Sequence, residues 1–392
     1  MRFGAEFPPE RSAFALDHMM KVGFVSTVQG HQWPGSEYLW SACAEQLLQQ
    51  QQQVVVSASS DLRGAKALKN LSSKGADIRL IAPITGRASR IQQQFFNPFR
   101  RLAGENLDVL IVSSGCAYDP VYRPSLGQFL CETTIPIVFI CHFNAETFWV
   151  DEPMRMMMST IFKKSRTTVF VSQENQRLTE RQLGMAIPRA EIIVPPLCLN
   201  LDEPLAWPVK ADDEPWRFAC VARLEPRWKG QDVLFEVLSD EKWKERNYIL
   251  SLYGQGAEDE YLRKLCKFYG LGGKVVFAGF SNPKAIWQEH HLQVLAARGE
   301  GGPMVITEGM ICGRAAVTTR CGFNTDYIND GQNGFLAGFA TSGCFGGKLE
   351  EAWNRREDWQ AMGKMAHQSI KIRRSDFNAP ERLMKIILNQ NN

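Results

Sequence analysis

RGEGGPMVITEGMICGRAAVTT, residues 298–319, sets two carboxylates, Glu300 and Glu308, eight positions apart, with two glycines and a proline directly after the first. Upstream, LQVLAA (292–297) is a short apolar run bounded by polar residues and glycines, the pattern of a buried strand. Pro303 stands where a first helical residue stands and Gly313 where a helix ends, so the pattern predicts a helix over 303–312. AAVTT (315–319) is a second apolar run, and the whole reads as a βαβ unit. Glu300 and the backbone N–H groups of Gly301 and Gly302 then lie at a strand's carboxyl end and a helix N-terminus, where phosphates and hydroxyl-rich ligands bind. Glu308, about one and a half turns into the helix, is placed to hold the far end of the same elongated ligand.

The same alternation runs through the chain. KVGFVSTV (21–28), VVVSAS (54–59), ADIRLIAP (76–83), DVLIVSSG (108–115), IPIVFICH (135–142) and TTVFVS (167–172) read as strands, separated by helical patterns such as 38–50 and 174–184. Strands alternating with helices predict a parallel sheet covered on both faces. Residues 195–215, PPLCLNLDEPLAWPVKADDEP, are rich in proline and acid and lack periodicity, the signature of a linker. The pattern restarts with RFACVARL (217–224), YILSLYG (248–254) and KVVFAGF (274–280). The expected organisation is an N-terminal domain over 1–198, a linker over 199–216, a C-terminal domain over 217–372, and a terminal helix over 373–392 returning to the first domain.

Composition narrows the function. Across 392 residues, 45 basic and 42 acidic residues nearly balance, which gives no electrostatic reason to expect a nucleic-acid partner. Ten cysteines show no CxxC and no even framework, as in reduced core residues of a cytoplasmic protein. No apolar run approaches a membrane span. The opening residues MRFGAEFPPERSAFALDHMM lack the apolar stretch of a signal peptide. MRMMMSTIFKKSR (154–166) is either a methionine-rich core face or an amphipathic helix making a peripheral membrane contact. Gln49–Gln53 reads as a solvated helix end.

Arg223 ends a predicted strand and Lys229 precedes a helix, so the two are either a fork and a point charge for a diphosphate or ordinary loop cations. YGQG (253–256), with Gly254, and AGFSN (278–282), with Phe280, are turns at strand ends. Together RL with KG, YGQG, AGF, EGGPMVITE with CG, and GQNGFLA (331–337) resemble the C-terminal half of GT-B glycosyltransferases of family 4, whose signature is the spacing E-x7-E. The resemblance implies an α/β fold of two doubly wound Rossmann-like domains facing each other across a cleft. It implies a retaining transfer from a UDP- or GDP-linked sugar to an acceptor hydroxyl; no cofactor is expected, and with no DxD motif and two cations for the diphosphate, no metal either. Arg223 and Lys229 then bind the donor diphosphate, Glu308 the ribose and Glu300 the sugar, while Gly254, Phe280, Gly301, Gly302 and Pro303 line the donor. Ala296, Ala297, Gly302 and Asn282 depart from the family's usual residues, which bears on the identity of sugar and base.

In the N-terminal half, QGHQWPGSEYLW (29–40) is a near match to the family's glycine loop, with Gly35 approaching donor or acceptor, Ser36 beside the acceptor and Glu37 expected to cap the next helix. The loop lacks GxGxxG, which argues against an NAD-dependent oxidoreductase. His142, at a strand end, is either a structural histidine or, as the resemblance implies, the counterpart of a family histidine facing the donor sugar. GRASRIQQQFFNPFRRLAG (86–104) offers Arg87, Arg90, Arg100 and Arg101 to an anionic acceptor, or to solvent. A non-catalytic nucleotide-sugar-binding protein is the remaining alternative. No DxD motif ends a strand, and DDE (212–214) falls in the linker.

Overall fold

The computed structural model describes residues 19–388 apart from 31, 32, 34, 198 and 303, and leaves out the side chains of residues 90 and 93–95. Pro303 and the side chain of Arg90, both singled out by sequence, therefore lie outside the described residues, as do 389–392.

Among the described residues, thirteen strands fall into two parallel sheets. The first contains β1 (Lys21–Ser26), β2 (Gln53–Ser59), β3 (Asp77–Ile81), β4 (Val109–Ser114), β5 (Ile137–Cys141), β6 (Thr167–Phe170) and β7 (Ala190–Ile192), in the order β3-β2-β1-β4-β5-β6-β7. The second contains β8 (Trp216–Val221), β9 (Tyr248–Tyr253), β10 (Val275–Gly279), β11 (Leu292–Leu295), β12 (Ala315–Thr319) and β13 (Phe335–Ala337), in the order β10-β9-β8-β11-β12-β13. The apolar runs became strands because helices cover both faces: β4 and β5 are buried along their whole length. Two strands lay outside the sequence reading. β7 is three half-buried residues without an apolar run, and β13 sits inside GQNGFLA.

Strand order reverses between β1 and β4 and again between β8 and β11. At such switch points the loops after neighbouring strands diverge and leave a crevice. The loops after β1 and β4, and those after β8 and β11, therefore define where each half can hold a ligand.

The residues between the sheets are not loose. Leu199, Leu201, Leu205 and Trp207 pack against the second core. The buried guanidinium of Arg314 donates to the carbonyls of Leu205 and Ala206 on the linker and to those of Trp287, His290 and Cys312 on its own domain. Burial without a carboxylate partner lowers the Arg314 pKa to about 10, so the carbonyl fork does the stabilising. His367 spans Ile311 O and Asp202 O, and Arg374 holds Leu201 O. The last helix, Ala379–Ile387, crosses back: Ala379, Leu383, Met384 and Ile387 are buried with Trp40 and Leu47 in the first domain's core.

Helix Glu152–Lys164 resolves the methionine stripe. Met154, Met158, Ile161 and Phe162 are buried against the first sheet, so this face is core. Among the described residues no helix is long and apolar enough to cross a membrane. Gln49 closes helix Ser36–Gln49, whereas Gln53 already opens β2.

Candidate active site

The loop after β8 is pressed onto the end of β11. Gly230 has φ of +63°, and a Cβ there would lie 1.8 Å from Ala296 O, so only glycine permits the approach. Arg298 strengthens the junction: its guanidinium takes both carboxylate oxygens of Asp232 at 2.7 Å and Pro226 O at 2.7 Å, and its N–H donates to Trp228 O. These contacts bring Lys229 Nζ to 2.5 Å from Glu300 Oε1, both side chains largely buried.

The first domain supplies the facing wall. His142 follows β5, its N–H donates to Ser114 O, and its Nε2 lies 3.0 Å from Ser113 Oγ. Burial pushes its pKa down to about 4, so the imidazole is neutral at physiological pH. His142 O meets Gly301 so closely that a Cβ on the glycine would stand 1.6 Å from it. Asn144 forms an antiparallel bridge with Glu300, while its amide donates to Thr179 Oγ1 and Gln182 Oε1, both at 2.8 Å. Gly35 approaches Met304 at the start of helix Met304–Ile311, leaving 3.5 Å from an added Cβ to Met304 Cε.

The structure thus brings Lys229, Glu300, Gly301 and His142 into one junction, with Gly35 at the helix start beside it. Glu308 is buried on that helix. Arg223 stands at the end of β8, 51% exposed, with its guanidinium 3.0 Å from Glu225. Gly254 sits against Ala222 O, one residue from Arg223. Gly302 fits between Pro195 and Phe323, while Phe280 is 73% exposed beyond β10. Arg100 and Arg101 project from the short helix Arg100–Ala103, and Ser36 starts helix Ser36–Gln49. Asn282, at a family-variable position, caps helix Pro283–Glu289 by accepting from Lys284 N–H at 2.9 Å.

One expectation is corrected. Glu37 does not cap its helix; Gly35 occupies that position without a side-chain bond. The Glu37 carboxylate turns inward, fully buried, and accepts from Trp40 Nε1 at 3.0 Å. The apolar face of the helix drags it into the core, and burial raises its pKa to about 7. Sequence reasoning also passed over Trp228, Asn144 and the Arg298–Asp232 fork. A tryptophan directly before Lys229 in a polar loop was the available signal.

Among the described residues no cluster of His, Cys, Asp and Glu is arranged to hold a metal ion.

Comparison with known proteins bears on this arrangement. Residues 203–369 match the family model described as glycosyl transferases group 1. A putative glycosyltransferase, EpsD of Bacillus subtilis (strain 168), is 27% identical over 159 residues; the match spans 40% of this chain and 42% of that relative's length. The apo lipopolysaccharide outer core galactosyltransferase WaaB superposes with a TM-score of 0.67 at 17% identity, over 95% of this chain and 100% of that one. Anabaena HepE in complex with UDP superposes with a TM-score of 0.68 at 17% identity, over 94% and 100% of the two chains. Two parallel Rossmann-like domains with these neighbours make the fold GT-B. Within its C-terminal half, residues 203–369 are what resemble group 1 glycosyl transferases, and the chain spans less than half the length of the curated relative it matches.

Proposed function

We propose that the chain is a retaining glycosyltransferase of the family 4 type, transferring a sugar from a UDP- or GDP-linked donor to an acceptor hydroxyl. The observation that carries the reading is the junction at which Lys229, Glu300 and Gly301, at the second sheet's switch point, meet His142 at the end of β5 in the first domain. The helix Met304–Ile311 starts four residues after Glu300, and a helix N-terminus is a favourable place for phosphate. Arg223 and Lys229 stabilise the leaving diphosphate, Glu308 accepts from the ribose hydroxyls, and Glu300 and neutral His142 hydrogen-bond the sugar. Gly254, Gly301 and Gly302 let protein backbone and rings pack closely around the proposed donor site, and Phe280 flanks the base. Gly35 and Ser36 face the acceptor side.

Transfer on one face of the sugar, with the departing phosphate taking the acceptor proton, is what the resemblance to the family implies. The ion pair between Lys229 and Glu300 supports metal independence, because a cation already stands beside the place where the phosphate charge develops. HepE was solved with UDP, which makes uridine donors the first to test.

The deciding experiment incubates the protein with a panel of UDP- and GDP-sugars, reading donor hydrolysis and thermal protection. Protection with hydrolysis by one donor supports the reading, and a strong chelator leaves that activity unchanged. Protection without turnover, under any acceptor tried, would instead mark a binding protein. Proton NMR of the product's anomeric centre checks retention.

A further inference from the structure

We propose that Trp228 is a positioning residue that pins the two domains together and so fixes His142 opposite Glu300 during transfer; this rests on the reading of the junction as the donor site. Trp228 belongs to the second domain, yet its ring is packed into the first. It meets Phe143 edge-on at 5.0 Å and Phe148 at 5.6 Å, and those two rings meet each other at 5.9 Å. The Arg227 guanidinium stacks over the Trp228 ring at 4.7 Å. Gly299 closes the contact, since a Cβ there would stand 2.8 Å from Phe143 Cζ.

The covalent neighbours of this cluster give it a role. Phe143 follows His142, and Trp228 precedes Lys229, which is paired with Glu300. A shift of the tryptophan out of its aromatic seat therefore moves the two halves of the site apart at the residues proposed to touch donor. The main chain on the second domain's side is rigid, because Trp228 O accepts from Arg298 N–H at 2.8 Å and Arg298 is forked onto Asp232. With that side stapled, the ring contact, together with the Asn144–Glu300 bridge and the close approach of His142 O to Gly301, registers the first domain against it. Arg223, Lys229 and Glu308 all lie on the second domain, so nucleotide binding is expected to survive the loss of the pin while transfer does not.

The experiment compares wild type, Trp228→Ala and Trp228→Phe as full chains. Small-angle scattering with and without UDP reads the domain arrangement, calorimetry reads UDP affinity, and donor turnover is measured with the active sugar from the panel. Trp228→Ala should scatter as a more open molecule and keep UDP affinity within about threefold. It should lose at least about tenfold in kcat, with Trp228→Phe restoring most of the rate. Scattering identical to wild type with unchanged kcat overturns the proposal. So does a loss of UDP affinity in step with kcat, which would make Trp228 a donor contact. Should Trp228→Ala fail to fold, Phe143→Leu tests the same contact from the other domain, under the same two readings. If wild type turns over no nucleotide sugar, the functional reading fails, yet scattering still decides whether Trp228 is the pin.

Discussion

Lys229 Nζ lies 2.5 Å from Glu300 Oε1, with only 16% and 9% of the two side chains exposed. The cation proposed for the diphosphate is thus held by the carboxylate proposed for the sugar, and removing either alone strands the other. Breaking such a pair strands a buried charge, at a cost of about 3 to 5 kcal/mol when burial is complete and less where a partner reaches solvent. Lys229→Ala is therefore expected to destabilise the chain more than the double variant Lys229→Ala/Glu300→Ala. Denaturant unfolding of the two singles and the double gives the coupling directly, and additive effects would show that the pair carries no energy.

The two glutamates should fail differently. Glu308, on the helix, is proposed to bind ribose equally in the ground and transition states, so Glu308→Ala should raise KM and weaken UDP binding. Glu300→Ala should chiefly depress kcat. Because its loss also frees Lys229, UDP affinity in that variant should hold or tighten. Calorimetry with UDP on both folded variants, alongside steady-state kinetics, tests the split. Severe loss of UDP affinity in Glu300→Ala with kcat intact would reverse the assignment of sugar and ribose.

Much of this was legible in the sequence because parallel strands buried on both faces leave unbroken apolar runs, and these located eleven of the strands in place. β7 escaped because a short edge strand, half exposed, has no such run. The spacing of Glu300 and Glu308 located the loop and its helix, since both features are local. The Lys229–Glu300 pair was not legible. It joins residues 71 apart through the pressure of Gly230 on Ala296, and chain-distant contacts leave no periodicity. Trp228 was missed for the same reason, its partners Phe143 and Phe148 lying in the other domain. Glu37 was misread as a cap because its sequence position suits one, while the burial that turned it inward depends on Trp40 and the sheet beneath.

Arg223 differs from Lys229 in being half exposed and paired with Glu225 at the surface. A solvated guanidinium contributes less per contact than a buried one, so Arg223→Ala should weaken UDP binding toward the lower end of the range for charged contacts, roughly 2 kcal/mol. Turnover should fall with it, because the same fork is proposed to face the leaving phosphate. Unchanged UDP affinity by calorimetry would reassign Arg223 to its surface pair with Glu225.

Glu37 supplies a pH test that is independent of any substrate. Its folded pKa stands near 7 against 4.5 for an ordinary carboxyl, because burial disfavours the charge. Below about pH 4.5 the group is protonated in both states and costs nothing. As pH rises, the unfolded chain ionises first, so the folded state becomes progressively disfavoured until about pH 7, beyond which the penalty is constant. The shift corresponds to a penalty on the order of 3 kcal/mol. Glu37→Gln removes the titration while keeping an oxygen to accept from Trp40 Nε1. The variant should therefore be more stable than wild type at pH 8 and equal to it near pH 4.5, the gap opening between those values. Thermal unfolding of both proteins across that range measures it. A gap that is the same at every pH would mean that the carboxyl titrates alike in the folded and unfolded chains, and that the inward turn of Glu37 carries no electrostatic cost.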